Sequence, residues 1–533
     1  MTMASVDVYF APLRQKLLSY SQILSLKDIV KFTLCFRVAL WLLMATVCAI
    51  FPSHNPGDDV VRFPVDDSPF MANYFAESDT FCACRFHCSW KDASTGYVES
   101  TNPPNALQSH VYPFLLRPLT RWDAARFLRL ALRPQLYLPP PTNHTTTATE
   151  ESEMAHAFFP GFPMVVQSVT RFLLSVAPRG ALPSTCAGVI VLASILCNLL
   201  AFLIALMALH KTTSLLLHRH GHHLEPKLCL QYTNCVTLLF VLNPASVFFG
   251  TAYSESLFAA MVFSGSYSML RWGPLGALIP WTLATTIRSN GIIYMGYLFL
   301  YAGGKVCEAP RRGLVHILLG VLVAFSVLFP MYHHNRLAIG MHCHDASAAT
   351  SRYEWCATAT SSHTFSLYAY IQRKHWNVGF LRYYEIKQIP NFLLAAPILC
   401  LSAFGVADWI YRSWLKVASA DQKPLPSQAL YWVCESLRAF AGPPTSSMSV
   451  DDILVGNPVL GHYAVWAVAA LLGLTTAHVQ ITTRLLCSTC PALYWYVAHV
   501  VMTSARWGGV YLGYSLLFIV LGGVLHPLWL PWT

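Results

Sequence analysis

The chain has 533 residues, of which 55% are hydrophobic and only 11% are charged, and its formal net charge at pH 7 is +10. Soluble chains carry about a quarter of charged residues, so this composition excludes an ordinary soluble domain and predicts a protein that crosses a membrane several times. The positive charge lies in loops beside apolar runs. It therefore indicates membrane orientation, and no nucleic-acid partner is implied.

The apolar runs predict an all-α polytopic membrane protein. Each leading run is close to the ~20 residues that a helix needs to cross the hydrocarbon layer, and we expect about eight to eleven helices on this rule. Two further runs, 158–176 and 491–503, are less clear and could be re-entrant or tilted helices. The leading runs are 33–51, 186–209, 233–250, 256–270, 275–301, 313–332, 391–411, 460–477 and 508–530.

The first apolar run begins too far into the chain, and lacks the small-residue cleavage site, to be a removable signal peptide, so we expect a signal anchor. Basic residues precede it, and the positive-inside rule then places residues 1–32 in the cytosol. Residues 33–533 are predicted to form one transmembrane domain, with lumenal loops at 52–156 and 336–390 and a cytosolic loop at 412–455. The basic residues are Arg14, Lys16, Lys27 and Lys31.

The first loop carries signals of an oxidising, lumenal compartment. Asn143 begins an N-glycosylation sequon, and three clustered cysteines could form disulfides with each other or with a cysteine of the second loop. A metal site that includes His87 is the less favoured alternative, because the spacing is not that of paired Cys-x-x-Cys motifs. The Thr- and Glu-rich run 139–153 is expected to be a flexible insertion. The clustered cysteines are Cys82, Cys84 and Cys88, and the second-loop candidates are Cys343 and Cys356.

Asp123 follows Trp122 at the head of residues 121–131, where apolar residues alternate with arginines. This pattern predicts a short helix at the membrane interface. Two roles for Asp123 stay open on position alone. It could cap the helix N-terminus, or it could be a catalytic carboxylate at the membrane surface.

A polar stretch, residues 243–258, interrupts the apolar pattern and carries Glu255 beside Tyr253. An ionisable group at membrane depth costs roughly 3 kcal/mol on insertion scales, so we expect Glu255 to face a wet cavity or to lie at the interface. Asn243 and Pro244 are expected to break or kink a helix, because proline frees backbone carbonyls and redirects the chain.

Arg288 and Asn290 lie inside another long apolar run. A buried arginine needs a partner, and a phosphate or Glu255 are the obvious choices. Residues 375–391 mix aromatic side chains with cations, which is typical of an interfacial belt or of a pocket for an anionic lipid phosphate.

These blocks, in this order, resemble the PIG-V family of mannosyltransferases that act on glycosylphosphatidylinositol (GPI). The resemblance extends over about residues 31–533. The motifs that carry it are Trp122-Asp-Ala, His156-Ala-Phe-Phe-Pro-Gly-Phe-Pro163, Asn243-Pro-Ala-Ser, Tyr253-Ser-Glu-Ser-Leu-Phe258, Ile287-Arg-Ser-Asn-Gly291, Trp376-Asn-Val-Gly-Phe-Leu-Arg-Tyr-Tyr-Glu385, Thr483-Arg-Leu-Leu486, Pro491-Ala-Leu-Tyr-Trp495 and Leu530-Pro-Trp-Thr533.

The resemblance implies a multi-spanning glycosyltransferase of the GT-C class in the endoplasmic reticulum. Such an enzyme takes mannose from dolichyl phosphate mannose at the lumenal face. It adds the second mannose, in α1,6 linkage, to the first mannose of a glucosaminyl-phosphatidylinositol precursor. No cofactor is implied, and an accessory membrane subunit is left open.

Transfer from a β-linked lipid phosphate to an α product inverts the anomeric carbon, so one carboxylate should deprotonate the acceptor while cations hold the departing phosphate. The family motif favours Asp123 as this base, and Glu255, Asp58 and Asp59 are the reserves. No Asp-x-Asp pair stands in the lumenal loops, so we expect metal-independent transfer.

Arg288 is the first candidate for the donor phosphate, with Arg382 or Lys387 second. Trp122, Trp376 and Tyr383 could stack on sugar rings, although an aromatic belt is the competing interpretation for each of them. The full set predicted to bind substrate is Trp122, His156, Tyr253, Glu255, Arg288, Asn290, Trp376, Asn377, Arg382 and Lys387.

Two hypotheses from other classes compete with the enzyme. A lipid or sugar transporter or scramblase would also carry charges within apolar spans, but transporters tend to show repeated halves, and no half of this chain resembles the other. A noncatalytic subunit of a glycolipid-processing complex is the second alternative.

Overall fold

The structure is a computed structural model that describes residues 3–51, 106–132, 134–139, 146–178, 181–183, 186–343, 353–362, 365–418, 425–443, 448–530 and 532. Within these residues the protein is helical and has no strand, so the predicted all-α polytopic architecture is confirmed. The predictions that concern Asp58, Asp59, His87, the clustered first-loop cysteines and Asn143 lie outside the described residues.

The helices run in chain order as follows: α1 Met3–Ile23, α2 Leu26–Ile50, α3 Tyr112–Leu116, α4 Asp123–Leu132, α5 Thr146–Ala155, α6 Gly161–Val176, α7 Cys186–His220, α8 Pro226–Val241, α9 Ser246–Gly250, α10 Glu255–Trp272, α11 Pro274–Ile287, α12 Tyr294–Glu308, α13 Pro310–His342, α14 Trp355–Ser361, α15 Leu367–Trp376, α16 Ile389–Ala418, α17 Leu425–Ala441, α18 Val450–Leu454, α19 Leu460–Thr475, α20 Thr482–Thr489, α21 Pro491–Thr503 and α22 Ala505–Leu525.

By length and composition, six helices of the described chain could each cross a membrane, or up to seven if the pair α20 and α21, bent by 87°, counts as one span. Shorter apolar helices such as α6 and α11 pack among them. The six are Leu26–Ile50, Gly188–His220, Gly313–His342, Ile386–Leu415, Val450–Thr475 and Ala505–Leu528.

The predicted helix break at Asn243 is confirmed, so the run 233–250 is not one helix. α8 ends at Val241, and the Asn243 side chain then takes over local hydrogen bonding. Its Nδ2 donates to the carbonyl of Phe240 at 2.7 Å, and its Oδ1 accepts from the backbone N–H of Ala245 at 2.9 Å. The amide side chain therefore satisfies backbone groups that the interrupted helix leaves free.

The run 275–301 was predicted as one span, and this prediction is wrong. α11 ends at Ile287, Arg288 is extended, and the chain passes through a 3-10 turn before α12 begins at Tyr294. Leaving the helix lets the Arg288 guanidinium reach a buried carboxylate, described below. An unpaired arginine inside the bundle would cost more than the lost helical hydrogen bonds.

Two side chains of α2 donate hydrogen bonds to the two ends of the short helix α9. Arg37 Nη1 donates to the Ser246 carbonyl at 2.6 Å, and Trp41 Nε1 donates to the Gly250 carbonyl at 2.9 Å. A five-residue helix leaves most of its carbonyls without intrahelical partners, so these donors stabilise it. As a result, α2 fixes the place where residues 251–255 enter the site.

A disulfide joins Cys343, just after α13, to Cys356 in α14. Neither cysteine is then available to the first-loop cysteines, so the alternative that paired the two loops through these residues is wrong. The two partners lie thirteen positions apart, and a local pairing of this kind closes a short loop at low entropic cost.

The run 139–153 was predicted to be a flexible insertion, and this is wrong for its second half. Residues 146–155 form α5, whose Glu153 carboxylate is buried. Lys374 Nζ and His375 Nε2 each lie 3.0 Å from Glu153 Oε1, and Trp355 Nε1 donates to Oε2 at 3.2 Å. Glu153 thereby ties α5 to α14 and α15.

Candidate active site

Four charged side chains meet where several helices end at the same side of the bundle. Asp123 is the first residue of α4, Glu255 is the first residue of α10, and Arg288 directly follows α11. Arg484 reaches them from α20. The cluster therefore joins segments that are far apart in the sequence.

Arg484 bridges the two carboxylates. Its Nη2 donates to Asp123 Oδ2 at 2.8 Å, and its Nη1 lies 3.7 Å from Glu255 Oε1. Arg288 Nη1 donates to the same Glu255 oxygen at 2.5 Å. Two cations thus balance two anions, which is the condition for keeping charges away from water.

The two carboxylates differ sharply in exposure. The Glu255 side chain is 0% exposed, whereas the Asp123 side chain is 37% exposed. A general base must come within hydrogen-bond reach of the hydroxyl that it deprotonates. The geometry therefore favours Asp123 for contact with a substrate and Glu255 for holding the two arginines. Glu255 was expected to face a wet cavity or to lie at the interface, and in the structure its side chain is wholly buried against the two arginines.

Asp123 does not use its carboxylate to cap α4. The helix starts at Asp123 itself, and the carboxylate accepts from Arg484 instead. Burial of the carboxyl raises its pKa, but the charge and hydrogen bond of Arg484, helped by Arg126 and Arg288, lower the pKa further than burial raises it. The net pKa lies below the ordinary Asp value, so the group is ionised at neutral pH.

Within the cluster and the adjoining Trp122, three polar atoms are buried and have no hydrogen-bond partner among the described residues. They are Trp122 Nε1, Glu255 Oε2 and Arg484 Nε. Buried polar groups are normally paired, and each unpaired one costs about 1–3 kcal/mol. Two donors and an acceptor beside a partly exposed carboxylate are suited to a ligand rich in hydroxyl and phosphate oxygens.

Trp122 has a left-handed backbone, with φ of 59°. Its ring packs against Trp529 of the C-terminal segment, with ring centroids 5.5 Å apart. For a bulky residue this conformation costs of order 1 kcal/mol or more and persists only where the surroundings hold it. The Trp–Trp contact supplies that support and places the Trp122 ring next to Asp123.

Tyr253 and Asn290, both predicted to bind substrate, lie close to the cluster. Tyr253 is buried, and its ring centroid is 5.4 Å from the Arg484 guanidinium carbon. Asn290 Nδ2 donates to Thr489 Oγ1 at 2.9 Å, which joins the turn after Arg288 to the end of α20. Asn290 therefore positions the two arginines relative to each other.

Trp376 lies near Arg126, which is on the same helix as Asp123. The guanidinium carbon of Arg126 lies 6.0 Å from the Trp376 ring centroid and 5.9 Å from that of Phe158. Because Trp376 follows His375, the Glu153 contacts described above hold it in this place. The structure thus brings the start of residues 375–391 to the edge of the charge cluster.

His156 lies in a different environment. It is buried, its Nδ1 is 3.4 Å from His334 Nε2, and its ring packs against His342 and Tyr137. Burial, and then the two neighbouring histidines, hold the pKa of His156 well below its usual value. It is therefore a neutral histidine within a packed cluster.

Asn377, Arg382 and Lys387 lie in the segment after α15. Asn377 ends that helix in a left-handed conformation and accepts a hydrogen bond from Arg382 Nη1 at 3.3 Å. Lys387 is 73% exposed and pairs with Glu385 at 2.6 Å. None of these three side chains contacts the charge cluster within the described chain, and the exposed Phe380 and Ile386 beside them favour the interfacial belt.

The sequence analysis missed Arg484 as a site residue, although its motif was noted. The signal that identified Arg288 applies equally to Arg484, since an arginine within an apolar segment needs an anionic partner. What the sequence could not show is that the partner would be Asp123, which is 361 positions away.

An all-α bundle with several helices that could span a membrane, and two carboxylates and two arginines gathered at helix ends, defines a polytopic membrane enzyme that handles a polar or anionic group at the bilayer surface. Comparison with known protein families identifies the class of enzyme more closely. The family model described as "Mannosyltransferase (PIG-V)" matches residues 91–533, and the chain belongs to this family. It is accordingly a glycosyltransferase, which confirms the predicted enzyme class and sets aside the transporter hypothesis.

Individual relatives agree. The chain is 29% identical over 507 residues to human GPI alpha-1,6-mannosyltransferase 2, covering 82% of this chain and 93% of the human protein. The rat protein of the same name is 31% identical over 434 residues, covering 76% and 78% of the two chains. GPI mannosyltransferase 2 of Drosophila pseudoobscura pseudoobscura is 24% identical over 547 residues, covering 95% and 100%. No solved structure matches the chain.

Proposed function

We propose that this protein transfers the second mannose, in α1,6 linkage, from dolichyl phosphate mannose to the mannosyl-glucosaminyl-phosphatidylinositol intermediate of GPI-anchor synthesis. Transfer takes place at the lumenal face of the endoplasmic reticulum membrane, in a site of GT-C type. The names of the relatives support the acceptor and the linkage. The observation that carries the chemistry is a partly exposed Asp123 in contact with Arg484 and near Arg288.

In this proposal Asp123 takes the proton from the acceptor hydroxyl as the hydroxyl oxygen attacks the anomeric carbon of the donor mannose. The bond between that carbon and the phosphate oxygen breaks, and its electron pair leaves with dolichyl phosphate. The arginines of the cluster stabilise the growing negative charge on the phosphate. Because two guanidinium groups already supply positive charge there, we propose that no metal and no cofactor is needed.

The lumenal orientation is supported by the disulfide between Cys343 and Cys356. Disulfides form and persist in oxidising compartments and are rare in the cytosol. The basic residues ahead of the apolar run 33–51 point the same way, because they place the N-terminus in the cytosol and the end of α2 in the lumen.

Thiol labelling tests this orientation. In sealed microsomes treated with a membrane-impermeant reductant and a membrane-impermeant maleimide, Cys343 and Cys356 are expected to stay unmodified, as read by peptide mass spectrometry. Both should react once the vesicles are opened and the disulfide is reduced. A Glu225→Cys variant, at the exposed start of α8 on the predicted cytosolic side, is the positive control. Labelling of Cys343 in sealed vesicles treated with the impermeant reductant would contradict the orientation.

The activity itself is tested with purified protein, dolichyl phosphate mannose and a synthetic acceptor that carries one mannose. We expect a product with two mannoses that a linkage-specific α1,6-mannosidase returns to the starting acceptor. GDP-mannose serves as the alternative donor. Transfer from GDP-mannose and none from dolichyl phosphate mannose would refute the proposed donor, and activity in microsomes but not in the purified chain would reveal an accessory subunit.

A further inference from the structure

Arg484 is shared between two carboxylates, whereas Arg288 is committed to one. Arg288 Nη1 contacts Glu255 Oε1 at 2.5 Å and Ser254 Oγ at 3.2 Å. Arg484 donates to Asp123 at 2.8 Å, sits farther from Glu255 at 3.7 Å, and has an Nε with no partner among the described residues. Arg484 is therefore the arginine that contacts the partly exposed carboxylate, and it keeps a buried donor that no described residue uses.

The contact with Arg484 makes Asp123 a poor base as it stands. A hydrogen-bonded ion pair stabilises the ionised carboxylate and occupies one of its two oxygens, Oδ2, so the proton affinity of Asp123 is lowered. Loss of this partner raises the proton affinity of Asp123, and a stronger base removes a proton more readily from a weakly acidic sugar hydroxyl. A ligand that competes for the guanidinium would release it.

The donor carries such a ligand, since a phosphodiester is an anion whose oxygens match the planar fork of a guanidinium. We propose that Arg484 is a charge-exchange residue, which the phosphate of the lipid-linked donor draws away from Asp123, and that the released carboxylate then acts as the base. This inference rests on the proposed function. It assigns the donor phosphate to Arg484 first, whereas the sequence analysis assigned it to Arg288.

The exchange balances without a further reactant. The acceptor proton moves to Asp123 Oδ2, the acceptor oxygen bonds to the anomeric carbon, and the lipid phosphate leaves with the electron pair of the broken bond. The leaving phosphate gains one negative charge while it is in contact with Arg484. Departure of the lipid phosphate returns Arg484 to Asp123, which resets the site once the proton is lost to water.

Asp123 is surrounded by groups from several elements, and only Arg484 hydrogen-bonds its carboxylate within the described chain. Release of this one contact therefore removes the largest stabilisation of the ionised form. The other charged or titratable groups that act on Asp123 are Arg126 on α4, Arg288 after α11, Tyr253 before α10 and His526 after α22.

The exchange predicts a donor-dependent pH profile. Without donor, the pKa of Asp123 lies below its ordinary value of about 3.9, so kcat/KM for the donor should stay level down to about pH 4.5. With donor saturating, Arg484 is occupied and a phosphate anion lies nearby, so the pKa of Asp123 rises. Because the carboxylate must be ionised to act as a base, kcat/KM for the acceptor should then fall as the pH is lowered. This fall should begin at a higher pH than the fall in kcat/KM for the donor.

Variants of Arg484 test the assignment. Arg484→Gln is expected to raise the KM for dolichyl phosphate mannose about 10- to 100-fold, the usual range for losing hydrogen bonds to a charged group. It should also make the low-pH sides of the donor and acceptor kcat/KM profiles coincide, since Asp123 then has no guanidinium partner to lose. Arg484→Lys keeps the charge but not the fork, and we expect partial recovery of donor KM. Arg271→Gln, at the exposed far end of α10, is the matched control.

The outcomes separate this inference from the proposed function. If the wild type fails to transfer mannose, the proposed function is wrong. If the wild type transfers mannose but the low-pH sides of its donor and acceptor kcat/KM profiles coincide, the exchange is overturned while the function stands. This measurement uses only the wild type, so it does not depend on a variant that might misfold. An Arg484→Gln protein that elutes as a single species and keeps the wild-type donor KM would also overturn the exchange.

Discussion

Replacing Asp123 with Asn is expected to lower kcat by about 10²- to 10⁴-fold, the usual contribution of a general base. The amide keeps the shape of the side chain but cannot take a proton from the acceptor. Asp123 is the more exposed of the two carboxylates in the cluster, so this loss should come with little loss of folded protein. Initial rates of mannose transfer at saturating donor and acceptor measure it.

The control for Asp123→Asn is Glu225→Gln, the same carboxyl-to-amide change at an exposed helix start on the predicted cytosolic side. It should leave the rate unchanged. An Asp123→Asn protein within tenfold of the wild-type rate would contradict the assignment. The base would then be Glu255 or the pair Asp58 and Asp59, which lie outside the described residues.

Replacing Glu255 with Gln should damage the fold and not only the reaction. Glu255 is wholly buried and contacts Arg288 at 2.5 Å and Arg484 at 3.7 Å. Removing one partner of a buried ion pair leaves an uncompensated charge and costs about 3–5 kcal/mol. We expect a markedly lower thermal midpoint in detergent, read by the loss of the monodisperse size-exclusion peak on heating.

A double variant distinguishes the unpaired charge from simple loss of a contact. Glu255→Gln combined with Arg288→Gln removes both members of the pair, so it should be more stable than Glu255→Gln alone. Glu225→Gln again serves as the surface control. A Glu255→Gln protein as stable as the wild type would show that the buried carboxylate does not hold the arginines in place.

Several features of the site could be predicted because they follow from local rules. The short helix that begins at Asp123 follows from alternating apolar and basic residues. The pairing of Arg288 with Glu255 follows from the cost of unpaired charge in an apolar run, and Glu255 was one of the two partners predicted for Arg288. The break at Asn243 follows from its proline neighbour.

Other features depend on tertiary contacts that no local pattern encodes. Arg484 meets Asp123 only after α20 and α4 are brought together, and the burial of Glu153 is decided by α14 and α15. Composition pointed to a flexible insertion around Glu153, because Thr and Glu are common in exposed segments. The run 275–301 looked continuous because hydropathy alone does not register the ion pair that interrupts it.

Complementation of cells that lack the second GPI mannosyltransferase tests the central claim most directly. Cells expressing the wild type, Asp123→Asn or Glu225→Gln are compared for surface GPI-anchored protein and for the number of mannoses on the accumulated glycolipid. We predict rescue by the wild type and by Glu225→Gln, and accumulation of the one-mannose intermediate with a normally expressed Asp123→Asn protein. Rescue by all three would contradict Asp123 as the base, and failure of the wild type would contradict the proposed activity.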